Sequence, residues 1–348
     1  MAIIAPDIGI DLGTSNTLVH VRKKGIVINE PTILVMDRSA KRTVKAIGEE
    51  ARVLLGRTAS DVVAVRPMAD GMIRDFDMTE YMLQYFIRKA IGVSRLVKPR
   101  AIITIPCRVS PIERRAVRQA ALYAGVRRNS LHLVEKPFAA ALGSGLPVFE
   151  PKGSMVVDIG GGTTEVAVIS LGGIVISRSI RIGGVKMDEV VAAYIKREFN
   201  MLIGDRTAEE VKIDLGAALP LKEERHALVR GRDLITNLPQ TAEISSAKIY
   251  EALQPTCQAI LAAIQFVLER TPPELAGDVM RSGIHLTGGG SLLFGLDQYI
   301  ATELDIPVLL AKDPLSCAAL GVGHLTDNIE QLHRIGRSAF LRDETEEQ

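Results

Sequence analysis

The stretch that decides the fold is Asp158-Ile159-Gly160-Gly161-Gly162-Thr163-Thr164, because the chain carries nearly the same stretch earlier, as Asp11-Leu12-Gly13-Thr14-Ser15-Asn16-Thr17. Each copy follows one apolar run and precedes another, which is the pattern of a strand, a tight polar turn and a second strand. A single glycine-rich turn is weak evidence of function. Two copies about 150 residues apart indicate two related lobes.

The chemistry of these turns suits a phosphate ligand. Glycine lets the backbone of a turn approach a ligand closely, and the N–H groups of such a turn form a concave cradle for phosphate oxygens. Asp11 and Asp158 open the two turns, and a carboxylate cannot contact phosphate without repulsion. We therefore expect a Mg²⁺ ion with its water shell between these aspartates and the phosphates. Two facing hairpins of this kind predict a site that holds one nucleoside triphosphate from both sides.

A third glycine cluster, Leu286-Thr-Gly-Gly-Gly-Ser-Leu-Leu293, follows a predicted strand and opens a predicted helix. Three consecutive glycines cost backbone entropy, so we expect that a close approach requires them. A helix N-terminus also favours the negative charge of a nucleotide. The cluster therefore predicts a further part of the same site, formed by Gly288, Gly289, Gly290, Ser291 and Leu292.

Composition and charge narrow the class of protein. At 348 residues the chain is long enough for two domains, and 47% hydrophobic with 24% charged residues is typical of a soluble globular protein. A net charge of +1 gives no reason to expect nucleic acid as a partner. The three cysteines fit neither a disulfide framework nor a metal site, which favours a reducing compartment. Without a signal peptide or an apolar stretch of roughly 18 residues, we expect a cytoplasmic protein.

Strand-like and helical patterns alternate along the chain, which predicts an α/β protein with sheets covered by helices. Ser110-Pro-Ile-Glu113 is a capping box with proline at the first helical position and predicts a helix after it. Thr207-Ala-Glu-Glu210 predicts a second capped helix that ends at about Gly216. A helical pattern from Ser246 to Thr271 contains Pro255, which we expect to kink the helix or split it in two.

Taken together, the two hairpins and the glycine turn resemble the pattern of the actin, DnaK-type chaperone and sugar-kinase superfamily. Within it, the chain resembles the MreB family of bacterial actins from about Ile8 to Gly323. The stretches that carry this resemblance are Ile8–Thr17, Asn29-Glu-Pro31, Val65-Arg-Pro-Met68, Asp158–Glu165, Ile203–Glu209, Arg230-Gly-Arg-Asp233, Thr271-Pro-Pro-Glu-Leu275 and Leu286–Gly290.

The resemblance implies an actin-like ATPase fold in which two duplicated lobes enclose a nucleotide cleft, each lobe divided into a large and a small subdomain. Lobe I is expected to comprise residues 1–145 and 318–348, with its small subdomain at about 33–75. Lobe II is expected to comprise residues 146–317, with its small subdomain at about 183–243.

The family's site residues transfer by motif. Phosphate contacts fall on Thr14, Ser15 and Asn16 in the first hairpin, and ribose and adenine contacts on the 209–212 segment. Carboxylates can accept from ribose hydroxyls, and a lysine stem can lie along a base. The alternative for Glu209 and Lys212 is an ordinary solvated helix face. The remaining implied contacts are Gly160, Gly161, Gly162, Thr163, Glu210 and Val211, with residues 289–292 behind the adenosine.

One departure from the family bears on hydrolysis. The segment Leu133-Val-Glu-Lys-Pro-Phe-Ala-Ala-Ala141 matches a family segment that reads Glu-Glu-Pro, whose second glutamate is thought to orient the attacking water. Lys136 stands at that position, and a protonated lysine cannot accept a proton from water. We predict a weak ATPase that is slower than relatives with glutamate there. The alternative is that Lys136 turns to solvent and the adjacent Glu135 does the work.

Two surfaces are implied by the resemblance. Family members bind the inner face of the plasma membrane, and Leu96 and Val97, flanked by Arg95, Lys98 and Arg100, fit the position of an apolar membrane loop suited to anionic lipids. The alternative is a tucked loop. In the family, the helix from Pro111 to Ala124 joins two antiparallel protofilaments, although a basic amphipathic helix is commonly just solvated.

The expected function is therefore that of an ATP-binding, filament-forming bacterial actin that maintains rod shape by organising cell-wall elongation. The first rival is a small-molecule kinase of the same superfamily, although no segment is left over to build a substrate pocket. The second is a chaperone ATPase, for which the chain lacks a peptide-binding domain.

Overall fold

The protein is described from a computed structural model that covers residues 6–37, 43–54, 62–92, 98–328, 332 and 340–341. Strands and helices alternate throughout this part of the chain, as predicted for an α/β protein. The strands are β1 Ile8–Leu12, β2 Asn16–Val21, β3 Gly25–Pro31, β4 Leu34–Asp37, β5 Val44–Ile47, β6 Val62–Val65, β7 Met68–Ala69, β8 Met72–Ile73, β9 Ala101–Ile105, β10 Leu131–Glu135, β11 Ser154–Ile159, β12 Thr164–Ser170, β13 Gly173–Ile180, β14 Met201–Leu202, β15 His226–Asp233, β16 Pro239–Ser245, β17 Ile284–Thr287, β18 Val308–Leu310 and β19 Phe340–Leu341.

The helices cover both faces of the sheets. None of those described is both long enough and apolar enough to cross a membrane. They are α1 Glu49–Leu54, α2 Phe76–Ile91, α3 Pro111–Tyr123, α4 Lys136–Gly143, α5 Gly184–Phe199, α6 Asp205–Leu215, α7 Ser246–Leu268, α8 Pro273–Ser282, α9 Leu296–Leu304 and α10 Cys317–Asp327, with short 3₁₀ turns at Arg128–Ser130 and Gly289–Leu292.

The two large sheets are built on the same plan. One has the strand order β3-β2-β1-β9-β10-β19 and the other has the order β13-β12-β11-β17-β18. In each sheet three consecutive strands form an antiparallel meander. A later strand pairs in parallel with the first strand of the meander, and a further strand pairs in parallel with that one. The strand-turn-strand repeat of the sequence therefore lies at the centre of two similarly wound sheets. The small sheets β5-β4-β6 and β14-β15-β16 are attached to the first and second halves of the chain.

The central strands of the large sheets are buried on both faces, which explains why they are nearly continuous apolar runs. In the second sheet Met155, Val157 and Val166 pack in one core with α5, α6 and α7. Val156 and Ala167 point to the opposite face, into a core that also contains residues of α4, α10 and the first sheet. This second core joins the two sheets.

Helices α4 and α10 cross where the sheets meet, and glycine makes their close approach possible. A Cβ placed on Gly143 would overlap the carbonyl oxygen of Cys317, and one on Gly321 would overlap that of Ala139. Helix α10 also packs on β1, β2 and β9, while α4 contacts β11 and β12. Helix α10 thus packs on the first sheet, beside helix α4, which precedes the second sheet in the chain.

Three helix predictions can be compared directly with the structure. The capping box at Ser110 is confirmed, with both of its hydrogen bonds present. The predicted capping box at Thr207 is wrong. Helix α6 begins at Asp205 with Gly204 as its N-cap, so Thr207 lies inside the helix. Pro255 does not split α7, because the proline and Glu251, four residues earlier, are both exposed and water can satisfy the freed carbonyl group.

Candidate functional site

The two glycine hairpins have the same hydrogen bond across their turns. The first follows β1 and is closed by the Gly13 N–H, which donates to the Asn16 carbonyl oxygen at 3.1 Å. The second follows β11 and is closed by the Gly160 N–H, which donates to the Thr163 carbonyl oxygen at 2.8 Å. The repeat seen in the sequence is therefore a repeat of backbone geometry.

The aspartates that open the turns are also held alike. Thr104 Oγ1 donates to Asp11 Oδ1 at 2.6 Å, and Thr287 Oγ1 donates to Asp158 Oδ1 at 3.0 Å. Each threonine lies on the parallel strand next to its aspartate, β9 or β17. Sequence reasoning missed both threonines. The available signal was that each is a hydroxyl residue at or next to the end of a buried strand.

The hairpins face each other directly. A Cβ placed on Gly161 would overlap the side chain of Ser15, and one placed on Gly162 would overlap Thr14 Oγ1. The tip of the β7–β8 hairpin completes this contact, because the Gly71 N–H donates to Thr14 Oγ1 at 2.9 Å. The side chains of the first hairpin therefore occupy the space that the glycines of the second leave open.

A cleft of about 570 Å³ lies along the hairpins, a volume within the ordinary range of small-molecule sites. Its lining combines the first hairpin, the second hairpin, one face of α6 and the glycine turn after β17. Among the predicted residues it includes Asp11, Thr14, Ser15, Asn16, Lys136, Asp158, Gly160, Gly161, Gly162, Thr163, Glu209, Lys212, Gly288, Gly289, Gly290 and Leu292.

Three predicted contacts do not line the cleft. Val211 is buried in the core of the second half, and Glu210 is paired with Arg206 on the outer surface of α6 at 2.9 Å. Ser291 is buried and donates from Oγ to the Gly288 carbonyl oxygen at 2.6 Å. Neighbouring helix residues point about 100° apart, so Glu209 and Lys212 can face the cleft while the two residues between them cannot.

One end of the cleft is apolar although it is open to solvent. Leu292, Phe294 and Leu315 are each about half exposed, and Ile213 is 69% exposed. The Arg225 guanidinium lies 5.9 Å from the centre of the Phe294 ring. Exposed apolar and aromatic surface inside a cleft suits a flat apolar ligand group such as a purine base. Except for Leu292, sequence reasoning did not find these residues, because exposure cannot be read from residue type.

The glycine turn after β17 has a physical cause that the sequence did not reveal. A Cβ on Gly288 would overlap the Ile159 carbonyl oxygen, and one on Gly290 would overlap the Ile159 side chain. Gly288 also has φ of +78°, a conformation that favours glycine. The glycines thus let this turn pack tightly against the end of β11, and in doing so bring the turn to the second hairpin.

Lys212 enters the cleft but does not lie free in it. Its ammonium is 2.7 Å from Asp188 Oδ1, and it donates to the Gly184 carbonyl oxygen at 3.4 Å. Burial raises the pKa of Asp188 to about 6, although Lys212 opposes this shift. Lys212 therefore ties α6 to the start of α5, which in turn donates from the Gly184 N–H to the Gly160 carbonyl oxygen of the second hairpin at 2.9 Å.

Lys136 lies between the two aspartates at the floor of the cleft. Its Nζ is 3.3 Å from Asp11 Oδ1 and 3.8 Å from Asp158 Oδ2, and its side chain is 16% exposed. Burial lowers the pKa of the ammonium, but the carboxylates of Asp11 and Asp158 more than offset this, so the pKa is above its ordinary value. Lys136 is therefore charged in the cleft and does not turn to solvent.

This position bears on the magnesium ion predicted between Asp11 and Asp158. A hydrated divalent cation there would share its space with the ammonium and be repelled by it. One oxygen of each carboxylate is also already bonded to a threonine. The side chains present therefore do not fit a hydrated divalent cation at this place.

Glu135 lies outside the cleft lining. It is buried at the end of β10, and burial raises its pKa to about 7, with a further upward contribution from the charge of Glu165. The backbone N–H of Arg108 opposes the shift. Glu135 therefore faces a different set of groups from its neighbour Lys136, and the two residues cannot exchange roles without a change in the backbone.

Comparison with known proteins identifies the family. The MreB/Mbl protein family model matches residues 5–334. The chain belongs to the MreB/Mbl family.

The curated relatives of this family cover almost the whole chain. The chain is 48% identical over 330 residues to the cell shape-determining protein Mbl of Bacillus cereus, a match that covers 95% of this chain and 98% of the relative. It is 47% identical over 328 residues to the cell shape-determining protein MreB of Escherichia coli K12, a match that covers 93% of this chain and 94% of the relative.

The solved structures show an actin-like fold. MreB5 of Spiroplasma citri bound to ADP superimposes with a TM-score of 0.87 at 35% identity, covering 95% of this chain and 99% of that one. A structure of the same protein bound to AMPPNP gives a TM-score of 0.88 and covers 94% and 97% of the two chains. The fold of this MreB/Mbl family member is therefore actin-like, as the resemblance implied.

One of the two surfaces expected of an MreB/Mbl protein, helix α3, lies within the described residues. In α3, Val117 and Ala121 are buried against the sheet, whereas Arg115 is exposed and Arg118 reaches the Leu131 carbonyl oxygen at 3.5 Å. The predicted membrane-loop residues Leu96 and Val97 lie outside the described residues.

Proposed function

We propose that this protein binds ATP in the cleft and assembles into filaments that maintain cell shape. The observation that carries the proposal is the pair of hairpins that face each other beside an exposed apolar slot. In this arrangement the polar turns hold the phosphates, the slot holds the adenine, and Glu209 reaches the ribose. This proposal is supported by a similar protein, MreB5 of Spiroplasma citri, whose structures have been solved with ADP and with AMPPNP.

The assignment of residues follows from the lining of the cleft. We propose that Thr14, Ser15, Asn16 and the 160–163 turn bind the phosphates. Adenine would pack on Leu292, Phe294 and Leu315, with the 288–290 glycines behind it. Glu210, Val211 and Ser291 are not included, because their side chains lie elsewhere.

The cellular role is proposed from the relatives. Both curated relatives are named cell shape-determining proteins, so we propose that filaments of this chain organise cell-wall elongation at the inner face of the plasma membrane. The protein would then be cytoplasmic and peripheral to the membrane, with anionic lipids and the wall-elongation machinery as its partners. We propose that α3 joins antiparallel protofilaments, since Arg115 and Ile112 are exposed on it.

The lobes are proposed to have the boundaries given above, with residues 1–145 and 318–348 in one and residues 146–317 in the other. Arg66 of the first and Asp205 of the second approach to 3.9 Å. Both side chains are exposed, so this ion pair is weak by itself. A nucleotide that contacts both hairpins would add the interactions needed to hold the lobes closed.

The first experiment is sedimentation of the full-length protein with and without ATP. We expect ATP to move the protein into the pellet. A protein that binds ATP and stays in the supernatant would contradict the filament proposal and favour the kinase of the same superfamily.

The second experiment tests the adenine slot by calorimetry. Phe294→Ala should weaken ATP binding about tenfold, because stacking of a base on an aromatic ring contributes roughly 1–3 kcal/mol. Leu171→Ala is the matched control, since Leu171 is also exposed and apolar but lies outside the cleft. Equal affinity of the two variants would reject the slot.

The third experiment concerns hydrolysis. Because Lys136 cannot accept a proton from water, we infer slow hydrolysis and expect Lys136→Glu to release phosphate from ATP faster than the wild type. Equal rates, or a slower variant, would end this idea. Lys152→Glu is the control, because Lys152 is an exposed lysine that pairs with Glu150 away from the cleft.

A further inference from the structure

The floor of the cleft carries its own cation. Of the described residues, only Lys136 places a cationic group within 4 Å of Asp11 or Asp158. The other lysine that lines the cleft, Lys212, is held at Asp188, and Arg225 lies against Phe294. Lys136 therefore faces the convergent carboxylates of both hairpins without a competing cation.

The carboxylate oxygens that face Lys136 have few other partners. Among the described residues, buried Asp158 Oδ2 has no hydrogen-bond partner, and the Lys136 ammonium at 3.8 Å is the cation paired with it. A Cβ placed on Gly160 would also lie only 3.9 Å from Lys136 Nζ, which puts the ammonium directly beneath the second hairpin. An ammonium has three donors, so Lys136 can serve Asp11 and still donate to a phosphate above it.

The charges identify what the lysine replaces. Two aspartates and Lys136 sum to minus one. With a carboxylate at position 136, the same three side chains would sum to minus three. The difference is plus two, which is the charge of one Mg²⁺ ion. Three convergent carboxylates would repel an anionic triphosphate more strongly than the present cluster does, because the lysine contributes a positive charge beside the two aspartates.

We propose that the Lys136 ammonium takes the place of a divalent cation between Asp11 and Asp158, so that this protein binds nucleoside triphosphates without magnesium. This inference rests on the proposed function, since it requires a nucleotide in the cleft. The lysine bridges the two hairpins through their aspartates and places a fixed positive charge under the phosphates. A lysine ammonium binds phosphate as a point charge, and here it lies between the hairpins of the two lobes.

The first test needs no nucleotide and is read as the melting temperature of the full-length protein with excess magnesium or with excess EDTA. The wild type should melt at the same temperature in both. Lys136→Glu should melt higher with magnesium, because an ion that binds only the folded state stabilises it. Lys136→Gln, which removes the charge without adding a carboxylate, keeps the test valid if the glutamate variant does not fold. The control is Lys152→Glu, which should behave as the wild type.

The second test is calorimetry of ATP binding under the same two conditions. The affinity of the wild type should change less than about threefold on chelation, whereas Lys136→Glu and Lys136→Gln should lose at least about tenfold, or 1.4 kcal/mol. Equal magnesium dependence of wild type and variants in both experiments would overturn the inference. Failure of all proteins to bind ATP under either condition would instead overturn the proposed function.

Discussion

The two hairpins of the cleft share a backbone but differ in side chains, and the difference lies where they meet. Both are closed by the same hydrogen bond and open with an aspartate held by a threonine. The first carries Thr14 and Ser15 at the tip, whereas the second carries Gly161 and Gly162 at the facing positions. A duplicated motif that contacts its own copy must therefore become asymmetric, because two bulky tips would collide.

A second difference between the hairpins also lies at the contact between the two halves, in the residue that pairs with each aspartate across the strands. In the first sheet Asp11 pairs across the strands with the apolar Leu18, whereas in the second sheet Asp158 pairs with Glu165. Glu165 accepts from the Cys107 N–H at 3.0 Å and from Ser179 Oγ at 2.8 Å. The second copy thus uses a buried carboxylate to bind the turn after β9 of the first sheet. Both divergences serve contact between the halves.

The largest expected effect on the free energy of unfolding comes from replacing one of the two aspartates that open the hairpins. Asp11→Asn should lower the free energy of unfolding by about 3 kcal/mol, because it removes the nearer partner of a buried ammonium. Asp158→Asn should cost about half as much, since the ammonium is farther from this residue and burial raises the pKa of Asp158, which opposes its ionised form. Denaturant unfolding of both variants measures the difference.

A double-mutant cycle shows whether the effect arises from Lys136. When Lys136 is first replaced by Met, Asp11→Asn should cost much less than it does in the wild type. If its cost is unchanged, Asp11 stabilises the fold through Thr104 alone and the two aspartates are not coupled by the lysine.

The next prediction breaks the fit between the hairpin tips. Gly161→Ala should destabilise the closed arrangement by about 2 kcal/mol, because its methyl group overlaps the Ser15 side chain and overpacking costs about 1–3 kcal/mol. The affinity for ATP should fall with it, by roughly tenfold or more, as measured by calorimetry.

The asymmetry can also be reversed. In Ser15→Gly with Gly161→Ala, the closest remaining atom to the new methyl is the backbone nitrogen of residue 15 at 3.3 Å, a tight contact that a shift of a few tenths of an ångström relieves. Stability should therefore recover relative to Gly161→Ala. No recovery would mean that glycine is needed at position 161 for its backbone rather than for the space it leaves.

The features that could be predicted from the sequence are those set by local pattern. The repeat predicted two related halves. The apolar runs predicted strands at Ile8–Asp11, Ala101–Ile105, Met155–Asp158 and Gly283–Thr287, and β1, β9, β11 and β17 begin and end within one or two residues of these positions. Strands β15 and β16 were not predicted, because their polar, half-exposed residues do not stand out from a loop.

The cleft itself was predictable only in part. Its glycine turns carry a local signal, but Phe294, Leu315 and Asp188 are brought to it by tertiary packing. The place of Lys136 required two lobes to be assembled, because Asp11 and Asp158 are 147 residues apart in the chain (158 minus 11). For the same reason the sequence predicted a magnesium ion at a place that the lysine occupies.

Thr104 and Thr287 allow a direct comparison of the two hairpins, because each holds one of the two aspartates. Thr104→Val and Thr287→Val remove the same hydrogen bond from the two aspartates and keep the shape of the side chain. Each should cost about 1.5 kcal/mol, since bonds to charged groups contribute roughly 1.5–3 kcal/mol. The 2.6 Å bond of Thr104 should be the more important. A larger cost for Thr287→Val in denaturant unfolding would show that the second aspartate depends more on its threonine.

The last prediction concerns Glu135, a buried carboxylate whose pKa is raised in part by Glu165, the carboxylate that distinguishes the second hairpin. Glu135 ionises near 4.5 in the unfolded chain, whereas burial raises its pKa to about 7 in the folded protein. Between these pH values the folded state holds a proton that the unfolded state lacks. The contribution of Glu135 to stability therefore falls as the pH rises through this window and is constant above it. The difference in unfolding free energy between the wild type and Glu135→Gln isolates this contribution.

Glu165 tests the origin of that shift. Its charge adds to the effect of burial on Glu135, so Glu165→Gln should lower the pKa of Glu135 and make the fall in stability end at a lower pH. A change of one pKa unit corresponds to about 1.4 kcal/mol, and we expect less than this, because burial remains the main cause. If the fall ends at the same pH in Glu165→Gln, the carboxylate by which the second hairpin departs from the first acts only through Cys107 and Ser179, and the two buried acids titrate independently.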